Sequence, residues 1–141
     1  MKYFAVIDTN VIVSSLIKHD SNPGMIMELV GSGVIVPLVN EEILKEYSIV
    51  LKRQKFRFDE SLVDDLLKML CKHSLSIKRI KTTEQFIDKK DIVFYEIVLS
   101  GRQTLGAYLI TGNLKHFPNH DFVITPKEML DILESDINGL V

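Results

Sequence analysis

The chain has 141 residues, 46% apolar and 26% charged, which suits one folded domain with a single core and leaves little room for two. Its 17 Lys+Arg against 19 Asp+Glu, a formal net charge of -2, exclude a uniformly basic nucleic-acid coat and an acidic disordered tail, but not a nucleic-acid enzyme with a local acidic site. The single Cys71 excludes an intrachain disulfide or a Cys-x-x-Cys zinc or redox pair, and no apolar run approaches the roughly 20 residues of a membrane helix, so a soluble, cytoplasmic protein is expected.

Tyr3–Ile7 is continuously apolar and rich in aromatic and β-branched types, which predicts a strand buried on both faces. Asp8 follows at once, in Asp8-Thr9-Asn10; it either serves a site at the strand's end or caps a helix starting near Asn10. Asn22-Pro23 supply a cap and a first-turn proline to a short helix carrying Met25, Ile26, Leu29 and Val30. Residues 34–39 repeat the strand pattern, with Pro37 at odds with a fully paired central strand. Asn40 opens a helix from residue 41 to about 52, and Asp59 opens another to about 73. Residues 75–80 form a third candidate strand, and Ile92 to Leu99 is a helix apolar on nearly all sides. Residues 107–111 and 122–125 are the last candidate strands, and Thr125-Pro126-Lys127-Glu128 is a capping box that opens the final helix. The alternation predicts right-handed βαβ units: an open, mostly parallel sheet with helices on both faces, a three-layer α/β/α Rossmann-like fold. Ligands of such folds bind outside the carboxyl ends of the strands.

The helix from residue 41 carries three acids. Around its apolar stripe of Ile43, Leu44, Tyr47, Val50 and Leu51, Glu46 lies about 100° from the centre, Glu41 about 120° and Glu42 about 140°. Glu41 and Glu42 have a structural role as negative charge in a first turn, whereas Glu46 has none. Glu42 and Glu46 also form an i,i+4 like-charge pair that a cation or basic group would relieve. Asp91 sits at the start of the apolar helix, where Asp88 and Asp91 also resemble a capping box. Glu96, inside that helix, requires a partner, since a buried acid must be paired, hydrogen-bonded or protonated. In Thr111-Gly112-Asn113 a strand ends in a glycine that allows close backbone approach; Asn113 either joins Asp8 at the sheet edge or belongs to an ordinary Gly-Asn turn. His116 and His120 are read as loop histidines, because Pro118 argues against the helix that would make them a chelating pair. The aliphatic stripes of residues 62–70 and 129–133 are core or dimer surface.

In this order, Asp8-Thr9-Asn10 after the first strand, Glu46 in Glu41-Glu42-Ile43-Leu44-Lys45-Glu46-Tyr47, Asp91 ahead of Phe94-Tyr95-Glu96, and Leu109 to Phe117 with Thr111-Gly112-Asn113 at its centre resemble the PIN domain. The likeness runs over nearly the whole chain and is greatest to the bacterial group regarded as toxins of toxin-antitoxin systems. It implies a single PIN-like domain over residues 1–141, a five-stranded parallel sheet, and a metal-dependent ribonuclease. It makes Asp8, Glu46 and Asp91 the acids that bind Mg²⁺ or Mn²⁺, with Asn113 where the family commonly has a fourth acid. An amide there can still offer its carbonyl oxygen, but it removes one negative charge. Thr9, Asn10 and Thr111 would orient the carboxylates, and Asp88 and Glu96 are possible further members. A small antitoxin protein and self-association as a homodimer or higher oligomer are the implied partners, beside RNA.

Crowded carboxylates raise one another's pKa, and a divalent cation keeps them ionised. The cation then activates water for attack on a phosphodiester. Basic residues should ring such a pocket: Lys52, Arg53, Lys55 and Arg57 are either RNA-backbone contacts or a solvated helix end, and Lys89, Lys90 and Lys115 lie close to the proposed site in sequence. Two other readings compete. One is a catalytically impaired PIN-like domain acting as a protein-binding module; the other is a phosphotransfer protein with Asp8 as nucleophile, disfavoured because Asn10 stands where a second Asp is wanted.

Overall fold

The apolar run at the start of the chain becomes β1 (Tyr3–Ile7), with Ala5, Val6 and Ile7 wholly buried in the computed structural model, which describes residues 1–139. A strand without a polar face needs cover on both sides, and β1 lies at the centre of a five-stranded, all-parallel sheet of order β3-β2-β1-β4-β5. On one side β2 (Ile35–Val39) pairs with it from Tyr3↔Ile35 to Ala5↔Pro37. On the other, β4 (Tyr108–Ile110) pairs from Ala5↔Tyr108 to Ile7↔Ile110. The edges are β3 (Leu75–Ser76) and β5 (Val123–Ile124). Six helices complete the three layers: α1 (Thr9–Ile17), α2 (Asn22–Gly31), α3 (Glu41–Leu51), α4 (Glu60–His73), α5 (Ile92–Gly101) and α6 (Pro126–Asn138). One hydrophobic cluster runs from Ala5 in β1 to Leu133 in α6. The single domain expected over residues 1–141 includes residues 140 and 141, which lie outside the described residues.

Two local expectations are corrected, and the conflict at Pro37 is resolved. The third strand is two residues long rather than six: β2 gives way to α3 after Val39, so beyond the Ile77 N–H, which donates to Val39 O at 2.9 Å, the chain has no ladder to continue. The cap of α2 is Ser21, one residue earlier than expected; its hydroxyl accepts from Gly24 N at 3.1 Å, and Asn22 is already helical. Pro37 is tolerated in β2 because β3 reaches only Leu38 and Val39, so β2 is flanked by β1 alone at Pro37. The capping box at Thr125 and Glu128 forms with both bonds present. Val63 and Leu70 of α4 and Met129 and Leu133 of α6 are buried, while Leu62 is exposed.

Helix α5 rests against β1, β2 and β4. Its Val93, Phe94, Tyr95, Ile97 and Val98 are buried, at roughly 1.5–3 kcal/mol each. That gain is large enough to carry the charged Glu96 into the interior along with them. The chain steps outward from β1 to β2 and β3, then returns across β1 to β4 and β5. Strand order therefore reverses between β1 and β4, which places a cleft outside their carboxyl ends.

Candidate active site at the strand switch

Asp8 and Thr111 are the first residues past the two strands that meet at the reversal. The Asp8 N–H donates to Ile110 O, and the Thr111 N–H to Ile124 O, both at 2.9 Å, so both residues are fixed by the sheet itself. Asp8 stands at the cap position of α1, yet its side chain makes no capping bond. Instead its Oδ2 accepts from Thr111 Oγ1 at 2.8 Å and Asn10 Nδ2 at 3.2 Å. Asn10 is held in turn by Gly112, whose N–H donates to Asn10 Oδ1 at 3.0 Å. A Cβ on Gly112 would lie 3.3 Å from that same oxygen, so the glycine serves close approach. Asp8 is 7% exposed. Burial pushes its carboxyl up to about 6; the Thr111 hydrogen bond opposes this, and the charges of Asp91 and Glu46 add to it.

Helix α3 brings Glu46. Asn40 caps it by accepting from Ile43 N at 2.9 Å, which sets the phase of the helix: Ile43, Tyr47 and Leu51 point inward, Glu41 and Glu42 outward, and Glu46 sits at the border. Thr9 Oγ1 donates to Glu46 Oε2 at 2.6 Å. The next residue, Tyr47, is buried, and its hydroxyl donates to Ile7 O. Burial, then the charges of Asp8 and Glu46, hold the Tyr47 phenol well above its ordinary pKa, so it remains a donor.

Asp91 comes from the turn before α5. The capping-box alternative is only half realised: Asp88 accepts from Lys90 N at 2.9 Å and caps the 3-10 turn Lys89–Asp91, whereas Asp91 makes no capping bond. Its side chain is 14% exposed, and Oδ2 is a buried oxygen without a hydrogen-bond donor. His116 Nδ1 approaches that oxygen to 3.3 Å without hydrogen-bond alignment. Burial raises the Asp91 pKa, as do Asp88 and Glu46, against the opposing influence of His116. Glu46, Asp88 and Asp91 line an open cleft of about 290 Å³ together with Thr9, Asn10 and Arg53.

Not every residue singled out in the sequence gathers here. Glu96 finds the partner it required in Arg79 Nε and in Thr82 N at 2.6 Å, and Arg79 Nη1 also meets Glu42 at 2.7 Å, answering the Glu42–Glu46 repulsion. Both Glu96 oxygens are thus committed away from the cleft. Arg79 was invisible to periodicity because it lies in irregular chain; the unpartnered Glu96 was the only hint of it. Asn113, half-buried, precedes the 3-10 turn Leu114–His116 and makes no capping bond there; its N–H donates to Thr111 Oγ1 at 3.0 Å. His120 faces Glu84 at 3.5 Å, so the two histidines address different acids. Lys52 pairs with Asp64 at 3.1 Å, Arg57 lines a neighbouring pocket, Lys115 lies in the turn after Asn113, and Arg53 and Lys90 line the acid cleft itself.

Among the described residues, no three His, Cys, Asp or Glu side chains already stand in metal-ligating array. The donor set nonetheless fits a hard divalent cation. The Asp8 carboxyl feels the charges of Asp91 and Glu46, and Asp91 that of Glu46; no Lys or Arg among the described residues pairs with any of the three, and Asp91 Oδ2 has no aligned hydrogen-bond donor. Among side-chain hydrogen bonds, Glu46 is held by one, from Thr9, and Asp91 by none.

A family model described as PIN domain matches residues 5–115. The chain is also 29% identical to a protein of Methanocaldococcus jannaschii named "Uncharacterized protein MJ1680", over 153 aligned positions covering 98% of this chain and 96% of that one. The matched span takes in Asp8, Glu46, Asp91 and Asn113.

Proposed function

Because this chain belongs to the PIN-domain family, whose members are generally nucleases that use divalent metals, we propose that it is a Mg²⁺- or Mn²⁺-dependent endoribonuclease hydrolysing RNA phosphodiester bonds. The observation that carries the reading is the set of three carboxylates at the strand switch that no Lys or Arg among the described residues pairs with, where burial, with the charges of Asp91 and Glu46 added, lifts the Asp8 carboxyl to about 6.

Asp8, Glu46 and Asp91 would hold the cation, with Asn113 offering an amide oxygen in place of a fourth charge. A divalent cation there supplies Lewis acidity for activating the attacking water and for neutralising charge that develops on the phosphate. The protein's own residues do the positioning. Thr111 and Asn10 fix the Asp8 carboxylate, Thr9 fixes Glu46, and the buried Asp91 Oδ2 has His116 Nδ1 beside it at 3.3 Å, out of hydrogen-bond alignment. Arg53 and Lys90, at the same cleft, are suited to the flanking phosphates. On the resemblance to toxins of toxin-antitoxin pairs, the enzyme works as a single domain in the cytoplasm, self-associates, and is restrained by a small antitoxin protein.

The test is cleavage of single-stranded and structured RNA with Mn²⁺ or Mg²⁺, with and without chelator, in the parent, Asp91→Asn and Asn113→Asp. Activity should require metal, fall with Asp91→Asn and rise with Asn113→Asp, and calorimetry should show tighter Mn²⁺ binding in the last. Cleavage that survives both chelation and Asp91→Asn would overturn the reading.

A further inference from the structure

We propose that Phe56 is a stacking platform for an unpaired nucleobase at the mouth of the acid cleft. The proposal rests on the nuclease reading above and adds to it a contact for one base beside the acids.

Phe56 ends the 3-10 turn Gln54–Phe56 that follows α3. It is half-buried and lines the cleft that also holds Glu46 and Asp91. Apolar side chains in that position are usually claimed by the core, and the core takes a different one: Phe58 is packed against the hydrophobic cluster, while Phe56 lies on Phe58, centroids 5.3 Å apart and planes 8° from parallel. The residue that separates them in sequence is Arg57, the one non-glycine residue with positive φ among the described residues (φ 53). The chain thus adopts a conformation that L side chains rarely take, and the outcome is a ring anchored from behind and presented at an acidic cleft.

The charges around the ring suit the same ligand. Lys55 Nζ lies 5.0 Å from the Phe56 centroid on an exposed, flexible stem, so it can yield to a base and pair with a phosphate. Arg53 and Lys90 are exposed, line the cleft with Phe56, and form no ion pair among the described residues, in contrast to Lys52. An aromatic face flanked by cations is the arrangement that holds single strands, in which the ring takes a base and the cations take the backbone. A duplex hides its base faces and gains nothing from the ring.

The chain has no tryptophan, so Phe56→Trp installs a sole indole reporter at the platform. Its fluorescence is titrated with a short oligoadenylate, with an abasic oligonucleotide of equal length and charge, and with an RNA duplex, in chelator and again in Ca²⁺. Quenching by oligoadenylate alone is expected. Equal responses to the abasic strand, or none to oligoadenylate in either condition, would overturn the proposal. Anisotropy on otherwise native protein gives the second measurement. Phe56→Leu keeps an apolar side chain against Phe58 but removes the aromatic face, and should bind oligoadenylate roughly five- to 150-fold more weakly; Phe56→Tyr should restore binding. Unchanged affinity in Phe56→Leu counts against the platform. Cleavage without quenching would sink the platform and leave the nuclease; quenching without metal-dependent cleavage would do the reverse.

Discussion

Replacing Asp8 by Asn should make the metal-free protein more stable at neutral and alkaline pH. In the fold the Asp8 carboxyl ionises near 6, against its ordinary 3.8. Folding therefore favours the protonated form: the stability this group contributes is full below about pH 4 and is lost as pH rises through 6. A gap of about two pH units at 1.36 kcal/mol each amounts to about 3 kcal/mol. Asn has the same shape and no charge, and its amide oxygen can still accept from Thr111. One weakened hydrogen bond costs about 1 kcal/mol, which leaves a net gain of about 2 kcal/mol and a Tm increase of about 6 °C for a chain of this length. Thermal unfolding followed by circular dichroism in chelator, over a pH series, measures it. The gap should be widest near pH 8 and close towards about pH 4. Added Mn²⁺ should raise the Tm of the parent and leave Asp8→Asn unmoved. The reasoning fails if Asp8→Asn melts at or below the parent at alkaline pH, or if the gap does not shrink in acid.

Two further outcomes concern stability. Arg79→Ala strands Glu96, whose side chain is 5% exposed; because the guanidinium is itself over a third exposed, the loss should be about 2–3 kcal/mol in urea melts rather than the full value of a buried pair. Glu96→Gln in the same background should recover part of it, and no recovery would show that the charge is not the cause. Gly24→Ala drives a Cβ to 1.7 Å from His19 O, a backbone atom, and should cost about 3 kcal/mol or more. Gly31→Ala in the same helix meets nothing within 4 Å and should be neutral or stabilising by up to about 1 kcal/mol; a similar loss in both would refute the steric account.

The features legible in the sequence are those whose cause is local. The strand Tyr3–Ile7, the Asn40 cap and the box at Thr125 each follow from a few adjacent residues, and each formed. The helical phase that set Glu46 at the border also held, because Ile43, Tyr47 and Leu51 fix the rotation of α3. Asp8 and Asp91 had local alternatives as caps that only the side-chain bonds could settle. The length of β3 depended on where its neighbour β2 stopped, and the partner of Glu96 lay 17 residues away in irregular chain. Phe56 carries no signal of periodicity or spacing, and its place depends on the stack with Phe58.

The grip of α3 on β1 has a consequence for anyone transplanting this site. Glu46 and Tyr47 are adjacent on the helix, and they hold Thr9 and Ile7, which straddle Asp8. A single fastener would leave a pivot; two, on either side of the same residue, remove both sliding and rotation. The smallest portable unit is therefore neither a trio of acids nor the loop that carries Asp8, but the strand-to-helix junction together with one turn of α3. A graft that copied the carboxylates and omitted the tyrosine would inherit the right atoms on a hinge.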